Sequence, residues 1–355
     1  LLITSISVSS IISLIVFITL FIILNNVNIL NFFGLNDFEY NDILFPLVVF
    51  LVVISLRAIY NNVDQIFYTL HKSHINIFNT FLINALYLLG LFLIEKFYIN
   101  ITFFQISIVY FISVNISYLS IFIYLCLTNQ YLNFNLFNFN IKLVKPLFSD
   151  GFKIIIAQIF FFLIVAIDRI IVLKYLDGNE AAKYDISYKL YSFILFPFTI
   201  ISQPLWSSYA EAFKRNDFPW IEKIINRLYL FSLVIFFGIL FITSIFDKIC
   251  LLWLGELIKM QIIEKIMMGI LIFLGMWSLI HSDILFGFSK YKIALYLLLL
   301  GFFIKFVFLI IINQFLEITL LNIICSTILG YLTFCIYSPI YVNRFFKTKN
   351  NNEND

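Results

Sequence analysis

The order of apolar and polar positions along the chain is that of a membrane protein from end to end. Ten stretches are apolar enough to cross a hydrocarbon core about 30 Å thick, which takes about 20 residues of helix. They are 3–25, 43–66, 76–94, 101–127, 151–175, 187–209, 225–246, 266–288, 292–315 and 318–342. Runs of this length predict helices, because barrel strands would be about 9–11 residues of alternating polarity. Backbone groups in lipid must pair with one another, so the predicted fold class is an all-α polytopic helical bundle. No connection reaches the roughly 50 residues of a folded soluble domain. The sixth span contains Pro197 and Pro204. Each removes a backbone hydrogen bond and predicts a kink, serving either rocking motion or packing. Ahead of the seventh span, Asp217 stands as a cap before Pro219, with Ile221, Ile224, Ile225 and Leu228 at one-face helical spacing. That pattern predicts either a short helix on the membrane surface or an early start of the seventh span. The last residues, 346–355, are polar and predict a disordered tail.

Composition narrows the function classes. The chain is 62% hydrophobic and 12% charged, where a soluble domain carries about 25% charged residues. Lipid must therefore be a partner. The net charge of +3 is small and dispersed, which argues against a nucleic-acid partner. The four Cys and three His residues show no ligand or redox spacing, so no metal or cofactor is predicted. Neither a GxxxxGK[ST] loop nor a GxSxG elbow occurs, which directs the expectation to gradient-driven transport rather than to an enzyme. Basic residues of the connections divide unequally. Placing the C-terminus in the cytoplasm puts about twice as many Lys and Arg inside as outside, as the positive-inside rule requires.

The candidate functional residues are charges at bilayer depth. Asp168 and Arg169 sit side by side in the fifth span, and each charge costs roughly 2.5–3.5 kcal/mol on insertion scales. Gln158 and Arg169 are close to three helical turns apart, so they project within about 20° of each other, while Asp168 lies about 80° off that stripe. This face either lines a hydrophilic cavity, with Arg169 attracting an anion and Asp168 orienting or neutralising it, or fixes helix packing. Lys305 lies about 20 Å deep in the ninth span and is the second candidate for an anion-facing cation, against a structural salt bridge. Arg57 shares a face with Asp64 in the second span, nearer the cytoplasmic end. Asp283, beside His281, either relays a proton or caps the interface. Asp168 and Asp283 are thus the candidates for ion or proton coupling.

A run of motifs in the middle of the chain resembles a known family. It begins with Phe148-Ser-Asp-Gly-Phe-Lys and Ala166-Ile-Asp168-Arg169-Ile-Ile, and continues with Tyr175-Leu-Asp-Gly and Ala182-Lys-Tyr184-Asp-Ile-Ser-Tyr188-Lys-Leu. Pro204-Leu-Trp206-Ser-Ser-Tyr209-Ala-Glu211-Ala completes it. These resemble the opening of the second half of the Wzx-type polysaccharide flippases, in the superfamily that includes the multidrug extruders. The resemblance implies a two-lobed fold of twelve spans, with residues 1–140 an N-terminal lobe lacking two spans ahead of Leu1 and 141–345 a six-helix C-terminal lobe. It also implies transfer of an undecaprenyl-diphosphate-linked oligosaccharide across the bacterial inner membrane, with transient contact with polysaccharide polymerase machinery. Arg169 and Lys305, with Arg57 third, would then hold the anionic head. A multidrug exporter of the same superfamily, for which Asp168 speaks, and a multispan polymerase or ligase are the alternative expectations.

Overall fold

The computed structural model describes residues 2–26, 40–69, 72–97, 101–128, 144–202, 204–255 and 258–353. It contains helices and no strand among them. The chain divides into two compact units, Leu1–Phe148 and Ser149–Asp355.

The first unit contains α1 (Leu2–Asn26), α2 (Tyr40–Thr69), α3 (Ser73–Phe97) and α4 (Phe103–Thr128). Its interior combines apolar clusters around Val53 and Phe67 with polar pairs between helices. Tyr60 donates to Asn115 at 2.6 Å, Tyr118 donates to Asp64 at 2.9 Å, and the rings of Tyr60 and Tyr118 stack 4.5 Å apart. Ser117 donates to Asn79 across α3 and α4. Such pairs hold helices together where lipid supplies no hydrophobic drive between them. Outward faces carry Ile11, Leu14, Phe81, Leu88 and Leu119, all exposed as lipid requires.

The second unit contains α5 (Val144–Tyr175), α6 (Gly178–Phe193), α7 (Phe196–Ser202), α8 (Leu205–Lys214), α9 (Phe218–Leu254), α10 (Ile262–Gly287), α11 (Tyr291–Phe315) and α12 (Leu320–Glu353). Half of the most apolar stretch of α12 is buried, the largest share among the spanning helices of this unit, so α12 is the pillar around which it packs. Its seam with α11 is set by two glycines. A Cβ on Gly301 would strike the Gly330 carbonyl oxygen and come within 2.8 Å of Thr333 Oγ1. Only hydrogen at that position lets the two backbones meet, the small-residue logic of membrane helix contacts.

Nine helices among the described residues are long and apolar enough to span. The tenth expected span, 187–209, is not one helix but the sequence α6, α7 and α8. The break before α7 precedes Pro197, and α8 begins directly after Pro204. A proline ring removes a backbone hydrogen bond and crowds the preceding turn, and here the chain restarts at both positions, whereas Pro46 in α2 and Pro339 in α12 are carried within continuous helices.

Two further segments bear on what the sequence suggested. Asp217 does accept the Trp220 amide at 3.1 Å as an N-cap, with Pro219 in the first turn, but the helix it opens runs unbroken to Leu254. Of the two readings, this is the early start of the seventh span. Nothing between Phe218 and Leu254 stops propagation until Gly255, whose φ of 76° forms the left-handed C-cap. At the other end, α12 remains helical to Glu353, through the segment expected to be a disordered tail. The residues after Ser338-Pro339 contain neither Gly nor Pro, and extending a formed helix is far easier than starting one.

Candidate functional site

The second unit concentrates its chemistry where α5, α6, α11 and α12 meet. Asp168 and Lys305 are both fully buried and form an ion pair through Asp168 Oδ1. The ammonium also donates to the Ile164 carbonyl oxygen, one turn earlier on α5. Asp168 Oδ2 accepts from Thr327 Oγ1 at 2.6 Å and from the Tyr184 hydroxyl at 3.0 Å. One carboxylate thus collects donors from three other helices. Tyr184 is itself wholly buried, and a Cβ built on Gly330 of α12 would lie 3.6 Å from the Lys305 Cβ, an ordinary contact.

Of the two readings the sequence left open for Lys305, an anion-facing cation or a structural salt bridge, the geometry here is that of the salt bridge. Its depth in α11 is as expected, but its charge is matched by Asp168 and screened from solvent on all sides. An ion pair drawn out of water is held only when its remaining lone pairs and protons are also satisfied. Here Thr327, Tyr184 and Ile164 do so.

Arg169 points the other way. Successive residues on a helix are about 100° apart, so burying Asp168 turns its neighbour outward. Arg169 Nε lies 2.6 Å from Asp185 Oδ1 on α6, with the two side chains 48% and 36% exposed. The guanidinium also lies 5.8 Å from the centre of the Tyr188 ring. Beside it is a recess of about 240 Å³ lined by Phe161, Phe162, Val165, Ala166, Arg169, Tyr188 and Tyr331. Its walls are aromatic on three helices, with Phe161 and Tyr331 5.6 Å apart between ring centres. A guanidinium against aromatic faces can take a ring compound bearing a negative or hydrogen-bonding substituent. Gln158 is exposed on α5, on the same side as Arg169.

The remaining candidates lie elsewhere. Arg57, half-buried on α2, reaches the Tyr110 hydroxyl at 3.5 Å, the outer limit of a hydrogen bond. Asp64, two turns on, is engaged by Tyr118 instead. In the second unit, His281 is buried between the Tyr229 hydroxyl at 2.8 Å and the Trp277 carbonyl oxygen at 2.9 Å. Asp283 is two residues further along α10, about 200° around the helix, which separates it from that ring. Asp185, Tyr188, Thr327 and Tyr331 went unnoticed in the sequence. Asp185 and Tyr188 stand one and four residues after Tyr184, within the motif run already singled out, while Thr327 and Tyr331 carry no signal of their own.

No family model matches the chain, and no curated protein matches its sequence. Solved structures do match in fold. One is an outward-facing conformation of a multidrug resistance MATE family transporter of the MOP superfamily, with a TM-score of 0.78, 13% identity, and coverage of 98% of this chain and 79% of that one. An inward-facing conformation of a multidrug resistance MATE family transporter of the MOP superfamily matches with a TM-score of 0.74 at 13% identity, covering 98% of this chain and 81% of that one. A MATE in complex with MaL6 matches at 0.76 and 12% identity, with 98% and 79% covered. The fold is a MATE-like transporter fold.

Proposed function

We propose that this chain is a membrane exporter that carries an amphipathic cargo by alternating access, without converting it chemically. The observation that carries the proposal is the recess beside Arg169, set in a chain whose whole length resembles transporters in fold. The recess offers an apolar aromatic lining and one accessible charge, the combination that binds a molecule with an apolar body and a polar end. The interruptions between α6, α7 and α8 supply segments able to absorb a change in backbone angle during transport.

Two cargo classes follow from different observations. Small amphipathic drugs are supported by the fold likeness, since the neighbours include a multidrug resistance transporter. An undecaprenyl-diphosphate-linked oligosaccharide, flipped from the cytoplasmic to the periplasmic leaflet, is supported by the motifs between Phe148 and Glu211. The charge of Arg169 agrees with the second class, because its pair with Asp185 is half-exposed, whereas Asp168, the carboxylate that would attract a cationic drug, is buried against Lys305. The bacterial inner membrane, with the C-terminus in the cytoplasm, is the setting both classes share.

Expression of the protein in two hosts separates them. Cells stripped of their multidrug pumps report efflux of a cationic dye, and cells lacking a repeat-unit flippase report surface glycan. Restored glycan display that is lost on Arg169→Ala, with no dye efflux, supports the oligosaccharide. Dye efflux without glycan display supports the drug class. Activity in neither host, with the protein present in the membrane, would sink both.

A further inference from the structure

The outer face of α9 changes character at one place. Lys223 and Arg227 are exposed, one turn apart. The same stripe then continues through Leu230, Val234, Phe237 and Phe241, which are 67%, 61%, 65% and 63% exposed. These positions follow one another at three- and four-residue steps, so they stay on one side of a straight helix. On the opposite side Phe218, Ile221, Ile225, Leu228, Ser232, Ile235 and Ile239 are buried against the rest of the unit. At 37 residues, α9 is about 55 Å long, well beyond the roughly 30 Å of a hydrocarbon core. That excess leaves room for its first turns, which carry Lys223 and Arg227, to stand outside the apolar layer. The step from Arg227 to Leu230 marks where the helix passes from headgroups into acyl chains.

We propose that Lys223 and Arg227 form a docking surface for the phosphate groups of anionic phospholipids in the surrounding leaflet. Neither makes an ion pair among the described residues. Nearby charges do not cancel them. Glu211 is held by Arg215 at 2.5 Å, and Asp217 is committed to the N-cap of α9. Glu222 is exposed on the neighbouring strip and is the one opposing charge on this part of the helix, while Lys214 at the end of α8 adds a further exposed cation. Trp220, half-buried one turn before Lys223, belongs to the residue type that settles at headgroup depth. A cation close to an anionic leaflet contributes about fivefold in affinity, so two contribute roughly thirtyfold.

The test uses the full chain in nanodiscs of phosphatidylcholine, with and without phosphatidylglycerol. Phosphatidylglycerol should raise the melting midpoint of the unmodified protein, and about 0.5 M salt should erase the gain. Lys223→Gln combined with Arg227→Gln should keep the phosphatidylcholine midpoint, lose the gain, and bind phosphatidylglycerol roughly thirtyfold more weakly by native mass spectrometry. An undiminished gain in that variant overturns the proposal. So does binding of a polyprenyl phosphate, but not of phosphatidylglycerol, through these two residues, since the phosphate would then belong to cargo. Should the double variant fail to fold, Glu222→Gln must bind phosphatidylglycerol more tightly than the unmodified chain, and unchanged binding overturns the proposal equally.

Discussion

Removing either end of the Asp168–Lys305 pair should damage the protein far more than removing both. Lys305→Met leaves a buried carboxylate with only the hydroxyls of Thr327 and Tyr184 to hold it. Asp168→Asn leaves a buried ammonium with the Ile164 carbonyl and a neutral amide. Breaking a buried pair from one side costs about 3–5 kcal/mol. For a unit of this size each kcal/mol moves the melting midpoint by about 2–4 °C, so either single variant should melt about 6–20 °C lower. Asp168→Asn together with Lys305→Met removes both charges and keeps an oxygen for the two hydroxyls. Replacing a whole buried pair is often neutral, so the double variant should recover most of the loss. The midpoint is followed by intrinsic tryptophan fluorescence of the purified protein, and the four proteins form a double-mutant cycle. A coupling of at least about 2 kcal/mol is expected. Two single variants that each cost less than about 1 kcal/mol and simply add would refute the argument that this pair is a matched, water-free contact. Loss of transport in Lys305→Ala therefore has to be read against the amount of folded protein in the membrane.

The other charged pair should behave in the opposite sense. Arg169→Lys should change stability by less than about 1 kcal/mol, because its pair with Asp185 is half-exposed. It should nonetheless reduce transport, since an ammonium can neither offer a planar fork nor lie flat on Tyr188; a transport assay at matched membrane level checks both. Gly301→Ala should cost about 1–3 kcal/mol and exceed Gly330→Ala, whose added methyl would meet its nearest atom, the Gly301 carbonyl oxygen, at 3.1 Å. Equal melting midpoints for the two variants would contradict the asymmetry of that seam. Asp217→Ala should cost about 1 kcal/mol through the lost cap on α9, read as a lower midpoint, and an unchanged midpoint would show the cap to be idle.

Nine of the ten expected spans, and their order, were legible in the sequence because lipid imposes one rule on every span: length and apolarity together. Pro197 and Pro204 announced an irregularity in the sixth span, but not that it would divide into α6, α7 and α8, since neighbouring helices decide how freed backbone groups are satisfied. The cap at Asp217 was equally plain, whereas the continuity of α9 was not, because apolar spacing alone does not mark where a surface turn becomes a span. The charges divide similarly. That Gln158 and Arg169 share a face follows from helical geometry, and both are exposed. That Asp168 seeks Lys305, 137 residues away, depends on how α5, α11 and α12 pack. A single sequence contains no term for that distance. Thr327 and Tyr331, ordinary residues in an apolar span, acquire their meaning from the same packing.

The distance has a consequence for biosynthesis. The ribosome releases α5, with its carboxylate, long before it has made the lysine in α11 or the threonine in α12. Throughout that interval the nascent chain lies in the bilayer with an unanswered acid, a mark by which membrane proteases could recognise an unfinished protein. Chains halted between α10 and α11 should therefore be cleared quickly, and supplying α11 and α12 as a separate polypeptide should protect them.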